Sequence, residues 1–240
     1  MNNQLSDIEK KYQKQQSVTG RFMTRFRLGL KHGIWKTVVA SSYILKRAMD
    51  ILASLMAIIM LSPVFLVTWL AIKLEDPGPS IFKQERVGRW GKTFTMFKFR
   101  SMVMDAEKLK KQLMDKNESE AGVIFKMKKD PRITRVGSFI RKYSIDELPQ
   151  LFNVLNGDMS LVGPRPPVPA EVQEYSLADR RRLDVTPGIT CIWQVSGRSD
   201  IDFEGQVRLD VQYINSQSFL TDVMILLKTV PAVLLGKGAY

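Results

Sequence analysis

A single cysteine, Cys191, and a single histidine, His32, occur in 240 residues. That scarcity excludes an internal disulfide framework, any CxxC zinc or redox motif and any His-based metal cage. Cys191 reads as a small buried hydrophobe. His32, in a polar-basic stretch far from acidic residues, reads as an ordinary surface or interface side chain. Acids are also in deficit, 24 Asp+Glu against 36 Lys+Arg, a formal charge of +12. No GxGxxG or GxSxG occurs, and Gly88-Arg-Trp-Gly-Lys-Thr93 fails as a phosphate loop because position 86 is Arg86 rather than glycine. Zinc fingers, RNP-like motifs and a recognisable recognition helix are absent, so the positive charge does not point to nucleic acid. There are no internal repeats and no low-complexity tracts. Apolar residues are plentiful: 45% hydrophobic with 25% charged in a one-domain length allows a core and excludes wholesale disorder.

The positive charge is concentrated. Residues 1–49 carry ten Lys or Arg against two acids, a net +8 of the total +12. Such a block suits an anionic membrane surface. Directly after it, Ile51–Ile72 holds 22 residues without a charge. As one helix that is about 33 Å, enough to cross hydrocarbon. Ser62-Pro63 interrupts it. Pro63 has no N–H, so the Ile59 carbonyl loses its helical partner and the helix kinks; the Ser62 hydroxyl can bond back to that carbonyl. Each half is then too short to span. Lys46 and Arg47 precede the segment, and Lys73, Lys83, Arg86 and Arg89 follow it. A spanning helix normally has its Lys/Arg excess on one side. Basic flanks on both sides predict a hairpin that enters and leaves by the same face.

Four regions result: a basic N-terminal extension over 1–43, a re-entrant membrane helix hairpin over 44–75, a cytoplasmic catalytic domain over 76–200 and C-terminal interfacial helices over 201–240. Within the catalytic region, Asp76-Pro-Gly-Pro-Ser80 is a turn cluster, and Ile81–Phe99 alternates like a hairpin around Gly88 and Gly91. A short charged helix is expected over 106–116 and an exposed loop over 117–129. Thr134–Leu155 has helical periodicity broken near Ser144. Pro164–Pro169 is an extended proline-rich stretch, Ala170–Arg182 is helical, and Phe219–Leu235 suits an interfacial amphipathic helix broken at Pro231. The fold class is α+β, predominantly helical, on a monotopic membrane anchor.

The chemistry concentrates in Arg141-Lys-Tyr-Ser-Ile-Asp-Glu-Leu-Pro-Gln150 and the run that follows it to Pro166. Asp146 and Glu147 lie in sequence among Lys128, Lys129, Arg132, Arg135, Arg141, Lys142 and Arg165. Carboxylates so surrounded are expected to have lowered pKa values and stay ionised, as a nucleophile or Mg²⁺ ligand would. Surplus arginines suit a phosphate substrate, although a salt-bridged helix face would look the same in composition. Arg165, between Pro164 and Pro166, is held on a stiff backbone. Lys98 and Arg100 add two cations beside aromatics. Asp200-Ile-Asp202 has the DxD spacing of many metal-dependent glycosyltransferases, a spacing that solvated loops also produce.

In order, Lys46-Arg47-x-x-Asp50, Ser62-Pro63, Asp76-Pro-Gly-Pro79, Phe97-Lys-Phe-Arg-Ser-Met102, Asp130-Pro-Arg132, Ser144-x-Asp146-Glu147-Leu-Pro-Gln150, Asn153, Gly157-Asp-Met-Ser160, Val162-Gly-Pro-Arg-Pro166 and Pro187-Gly-Ile-Thr190 resemble the bacterial sugar transferases, the monotopic phosphoglycosyl transferases, over about residues 44–240. Larger members start with transmembrane helices and a further domain, so this chain resembles the minimal catalytic form. The resemblance implies transfer of a sugar 1-phosphate from a UDP-sugar to a polyprenyl phosphate such as undecaprenyl phosphate, releasing UMP, at the cytoplasmic face of a bacterial inner membrane. It implies Asp146 as covalent nucleophile, Glu147 as its partner in metal or acid/base work, and Mg²⁺ held by these two. It also implies phosphate and nucleotide contacts from Lys98, Arg100, Arg141 and the Pro164-Arg165-Pro166 segment. Anionic lipids are an expected partner, and a homodimer stays open. Two competing readings are a UDP-releasing glycosyltransferase built on Asp200 and Asp202, and a membrane scaffold without catalysis.

Overall fold

The computed structural model describes residues 18–106, 108–109, 130–197 and 200–235. Nearly all of the expected helix over 106–116, the loop over 117–129, and Lys128 and Lys129 lie outside the described residues. The chain divides into two compact units, residues 1–46 and 47–240. In the first, the described residues belong to helix α1 (Val18–Met60). Phe22, Met23, Phe26 and Leu30 are exposed there, as are Arg21, Arg25, Arg27, Lys31 and His32.

In the larger unit, α1 ends at Met60 and α2 (Ser62–Glu75) begins after one residue, at an angle of 60°. The cause is the one the sequence predicts: Pro63 cannot donate, and Ser62 Oγ donates instead to the Ile59 carbonyl at 2.9 Å. No single helix among the described residues is long and apolar enough to cross a membrane. Leu52, Met56, Ile59, Leu66, Val67 and Leu74 are exposed, whereas Asp50, Ser54, Thr68 and Ile72 are buried. The buried side is bolted down by polar contacts. Arg47 donates to the Val154 and Leu155 carbonyls at 2.6 and 2.8 Å, near the end of α4 (Gln150–Asn156). Asp50 Oδ1 accepts from Ser160 Oγ at 3.1 Å and Leu161 N at 3.0 Å.

The expected hairpin forms from β1 (Ile81–Val87) and β2 (Thr93–Phe99), antiparallel with Ile81 opposite Phe99. Helix α3 (Arg135–Lys142) starts at Thr134, whose hydroxyl accepts from Gly137 N at 2.9 Å. Glu75, at the end of α2, accepts from Arg135 N and Val136 N at 2.8 and 2.9 Å, so Glu75 caps the start of α3 as Arg47 caps the end of α4. The break near Ser144 is present: Ser144 has φ +54°, followed by a 3₁₀ turn over Ile145–Glu147 and then α4.

Two short strands were not legible in the sequence. β3 (Ser160–Val162) pairs in parallel with β4 (Gly188–Thr190). The pairing needs glycine on both sides, since a Cβ on Gly188 would sit 2.1 Å from Gly163 N. The main core gathers Met96, Leu151, Val154, Met159, Leu161, Val162, Tyr213 and Ile225 around this pair. The helix expected over Ala170–Arg182 is in fact two pieces, α5 (Pro169–Gln173) and a 3₁₀ turn over Asp179–Leu183. Ser176 and Asp179 form a reciprocal cap, Ser176 N to Asp179 Oδ2 at 2.9 Å and Asp179 N to Ser176 Oγ at 3.3 Å, which starts a new turn. After α6 (Ile192–Ser196) come α7 (Phe203–Ser216) and α8 (Phe219–Leu235). Helix α7 buries Val207, Asp210 and Tyr213, of which Tyr213 joins the main core. Helix α8 is amphipathic with an inverted sense: Asp222 is buried 2.7 Å from the Tyr213 hydroxyl, while Leu220, Met224, Leu227, Val230 and Leu234 face outward.

Candidate active site

The 3₁₀ turn places Asp146 and Glu147 side by side, and β2 brings Lys98 across to them. Glu147 Oε1 accepts from Lys98 Nζ at 2.7 Å and from Arg165 Nη1 at 3.1 Å. Asp146 receives no hydrogen bond from any described residue, although only 9% of its surface is exposed. The two carboxyls therefore diverge. Burial alone would raise Glu147, but the charges and hydrogen bonds of Lys98 and Arg165 outweigh it and hold Glu147 well below the usual carboxylate range. Asp146 moves the other way. Burial, with the neighbouring Glu147 charge, pushes it up to about 6 against the opposing pull of Lys98, Arg141 and Arg165. The expectation that both carboxyls have lowered pKa values holds for Glu147 and fails for Asp146, because the nearest cations are spent on its neighbour.

Pro164 to Val168 lies outside any helix or strand, and Pro164 and Pro166 are buried on either side of Arg165. Their backbone is fixed by Gly188 N donating to the Pro164 carbonyl at 2.9 Å and Arg86 Nη1 donating to the Pro166 carbonyl at 2.9 Å. Arg165 thus leaves a backbone segment fixed at both flanking prolines and reaches Glu147. Arg141, in the last turn of α3, lies near enough to pull on Asp146. Arg100 behaves differently: its guanidinium is bound to the Asp76 carbonyl and lies 3.6 Å from the Asp76 carboxylate, holding the turn after α2. Arg132, absent from the expected ligand set, makes a two-pronged pair with Asp130 at 2.6 to 3.1 Å. Asn153 docks α4 on β2, accepting from Phe97 N at 3.0 Å and donating to the Thr95 carbonyl at 2.7 Å.

These groups open on one cleft of about 1540 Å³. Its wall includes Leu61 and Val64 at the bend between α1 and α2, Phe139 on α3, and the polar cluster of Lys98, Asp146, Glu147 and Arg165. An aromatic and amide-lined portion formed by Tyr175, Trp193, Gln194, Phe203 and Gln206 belongs to it too. Sequence reasoning missed that portion, because its residues are scattered and individually unremarkable. The DxD pair does not contribute: Asp202 Oδ1 accepts from Gly205 N at 2.9 Å as the cap of α7, and Asp200 is exposed. Among the described residues no group of three His, Cys, Asp or Glu side chains could hold a metal on its own.

The sequence model of the family described as bacterial sugar transferase matches residues 41–236. This chain belongs to the bacterial sugar transferase family. It is 50% identical over 202 residues to the galactosyl transferase CpsE of Streptococcus agalactiae serotype III, and 48% identical over 203 residues to the undecaprenyl-phosphate galactose phosphotransferase of Salmonella typhimurium. Each match takes in 83% of this chain but only 44% and 42% of those relatives. The exopolysaccharide production protein ExoY of Sinorhizobium fredii is 40% identical over 198 residues, covering 81% of this chain and 88% of ExoY. As a bacterial sugar transferase, the chain keeps every ordered motif of the resemblance inside the matched span.

Proposed function

We propose that this bacterial sugar transferase moves a hexose 1-phosphate from a UDP-sugar to a polyprenyl phosphate. The observation that carries the proposal is Asp146: a buried carboxyl with no hydrogen-bond partner among the described residues, beside a glutamate pinned by Lys98 and Arg165. In the proposed reaction an Asp146 carboxylate oxygen attacks the β-phosphorus of the UDP-sugar. The bond from that phosphorus to the bridging oxygen breaks and UMP leaves. A polyprenyl phosphate oxygen then attacks the same phosphorus, the acyl–phosphate bond opens, and Asp146 is regenerated. Arg165 and Lys98 hold positive charge where the diphosphate charge redistributes, and Arg141 adds to it. Glu147 keeps those two cations in place.

Mg²⁺ fits this site, since that ion is commonly held by one or two carboxylates plus substrate phosphates. Asp146 and the Glu147 oxygen not engaged by Lys98 would hold it, and it would neutralise diphosphate charge. The relatives named for undecaprenyl phosphate and galactose support the substrate classes, and the Salmonella protein's name supports a phosphotransferase rather than a UDP-releasing enzyme.

The cleft's apolar entrance at Leu61 and Val64 supports a lipid acceptor. With the 60° bend, the exposed leucines of α2 and α8 and basic flanks on both sides, it supports a re-entrant anchor on the cytoplasmic face, in contact with anionic lipids. The test is a panel of UDP-sugars with undecaprenyl phosphate. One sugar is expected to give a lipid diphosphate product and UMP, and Asp146→Asn is expected to give neither. Release of UDP would refute the proposal.

A further inference from the structure

We infer that the aromatic, amide-lined portion of the cleft is a nucleobase subsite selective for the imide edge of uracil. The inference rests on the reading of the cleft as a nucleotide-sugar site. Gln206 is almost fully buried, and its Nε2 donates to the Ile201 carbonyl at 3.0 Å. A carbonyl only accepts, so this contact fixes the amide orientation and leaves Oε1 as an acceptor on a side chain that lines the cleft. Gln194 is the converse case. Its Oε1 accepts from the Cys191 thiol at 3.2 Å, which leaves its NH₂ as the donor. One acceptor and one donor from two neutral amides complement N3–H and C4=O of uracil. Cytosine presents an acceptor at N3 and a donor at N4, the opposite pattern.

Position and walls agree with this use. Residues 188–194 begin with β4, which is hydrogen-bonded to the segment leading into Arg165, with Gly163 N donating to the Thr190 carbonyl at 2.9 Å. A diphosphate on Arg165 therefore has its nucleoside end directed toward the same stretch of chain. Tyr175 and Phe203 pack at 5.6 Å between ring centroids, and the Arg182 guanidinium lies 5.8 and 5.7 Å from the two rings. Arg182 is itself locked by Asp210 at 2.7 Å. This gives an aromatic wall against which a base can stack. None of these residues is needed to explain the phosphoryl chemistry.

The experiment uses the full chain in detergent with UMP and CMP as probes, alongside turnover with a UDP-sugar. Wild type should bind UMP about tenfold or more tightly than CMP, the ratio expected when one edge pairs and the other leaves buried polar groups unpaired. Gln206→Leu and, separately, Gln194→Leu should bring the two affinities together while retaining the wild-type melting temperature within a few degrees. Irradiation with 4-thio-UMP should attach label to the peptide containing Trp193 or the one containing Phe203, which a merely structural role for the glutamines would not produce. Turnover with a UDP-sugar in wild type, combined with unchanged UMP preference in both variants or label confined to the β1–β2 hairpin, overturns this inference while leaving the proposed reaction standing. Loss of UMP binding and turnover in wild type itself overturns the proposed reaction, and the subsite with it.

Discussion

Asp146 and Glu147 differ by one position and by the direction of their pKa shifts. That difference has two measurable consequences. In the proposed reaction Asp146 attacks in its ionised form, so kcat/KM for the UDP-sugar should be full above about pH 7 and fall as pH drops through about 6. A profile flat down to pH 5 would contradict the assignment. The second consequence is stability. A carboxyl whose pKa is raised by burial weakens the fold when ionised, a cost present above its raised pKa and absent below the ordinary carboxylate value. Asp146→Asn should therefore abolish turnover yet be more stable than wild type at pH 8, by about 1–3 kcal/mol, with the gain fading toward pH 4. Chemical denaturation at the two pH values checks this. Arg165→Ala should cost about 2–4 kcal/mol in transition-state stabilisation, seen as lost kcat/KM, and Arg165→Lys should restore only part of it because the planar fork is gone. The dyad, Arg165 and its flanking prolines were legible in the sequence as residue types in order. The divergence of the two carboxyls was not, because it depends on Lys98 arriving from a strand 49 residues away to bond Glu147 alone.

Local rules predicted the elements whose causes are local. Pro63 breaks the apolar helix and Ser62 repairs the orphaned carbonyl; Ser144 interrupts the next helical run; Gly88 and Gly91 frame the hairpin. What escaped prediction were contacts between distant segments: the parallel pairing of β3 with β4, the reciprocal Ser176–Asp179 cap, and the burial of Asp222. The Lys46-Arg47-x-x-Asp50 signature was legible only as a motif, and its work is structural at Arg47 and Asp50. Asp50→Ala leaves the Leu161 N–H and the Ser160 hydroxyl without their acceptor in a buried place, so unfolding free energy should fall by about 2–4 kcal/mol. A denaturation midpoint equal to wild type would show the contact to be dispensable. For the bend, single cysteines at Met23 and Lys108 in a Cys191→Ala background should both resist a membrane-impermeant thiol reagent applied to intact cells. Labelling at residue 23 alone would mean that the segment spans. Replacing Ser62 and Pro63 together with leucine restores about 33 Å of unbroken apolar helix and should yield mixed topology and reduced activity, since the basic flank from Lys73 opposes crossing.

At the scale of the molecule, the proposed reaction requires a soluble charged donor and a membrane-held acceptor to reach one carboxyl. The cleft satisfies that geometry, with cations around Asp146, an apolar wall at the hairpin bend and an amide-lined aromatic recess. The formal charge of +12 favours approach to an anionic surface and attraction of a diphosphate. The identity of the transferred group is the central claim, and the nucleotide product tests it most directly. Purified protein should be incubated with Mg²⁺, undecaprenyl phosphate and the UDP-sugar it accepts, and the released nucleotide identified chromatographically. UMP in equal amount to lipid-linked product, absent with Asp146→Asn, is the predicted result; UDP from wild type, or undiminished UMP from Asp146→Asn, would contradict it.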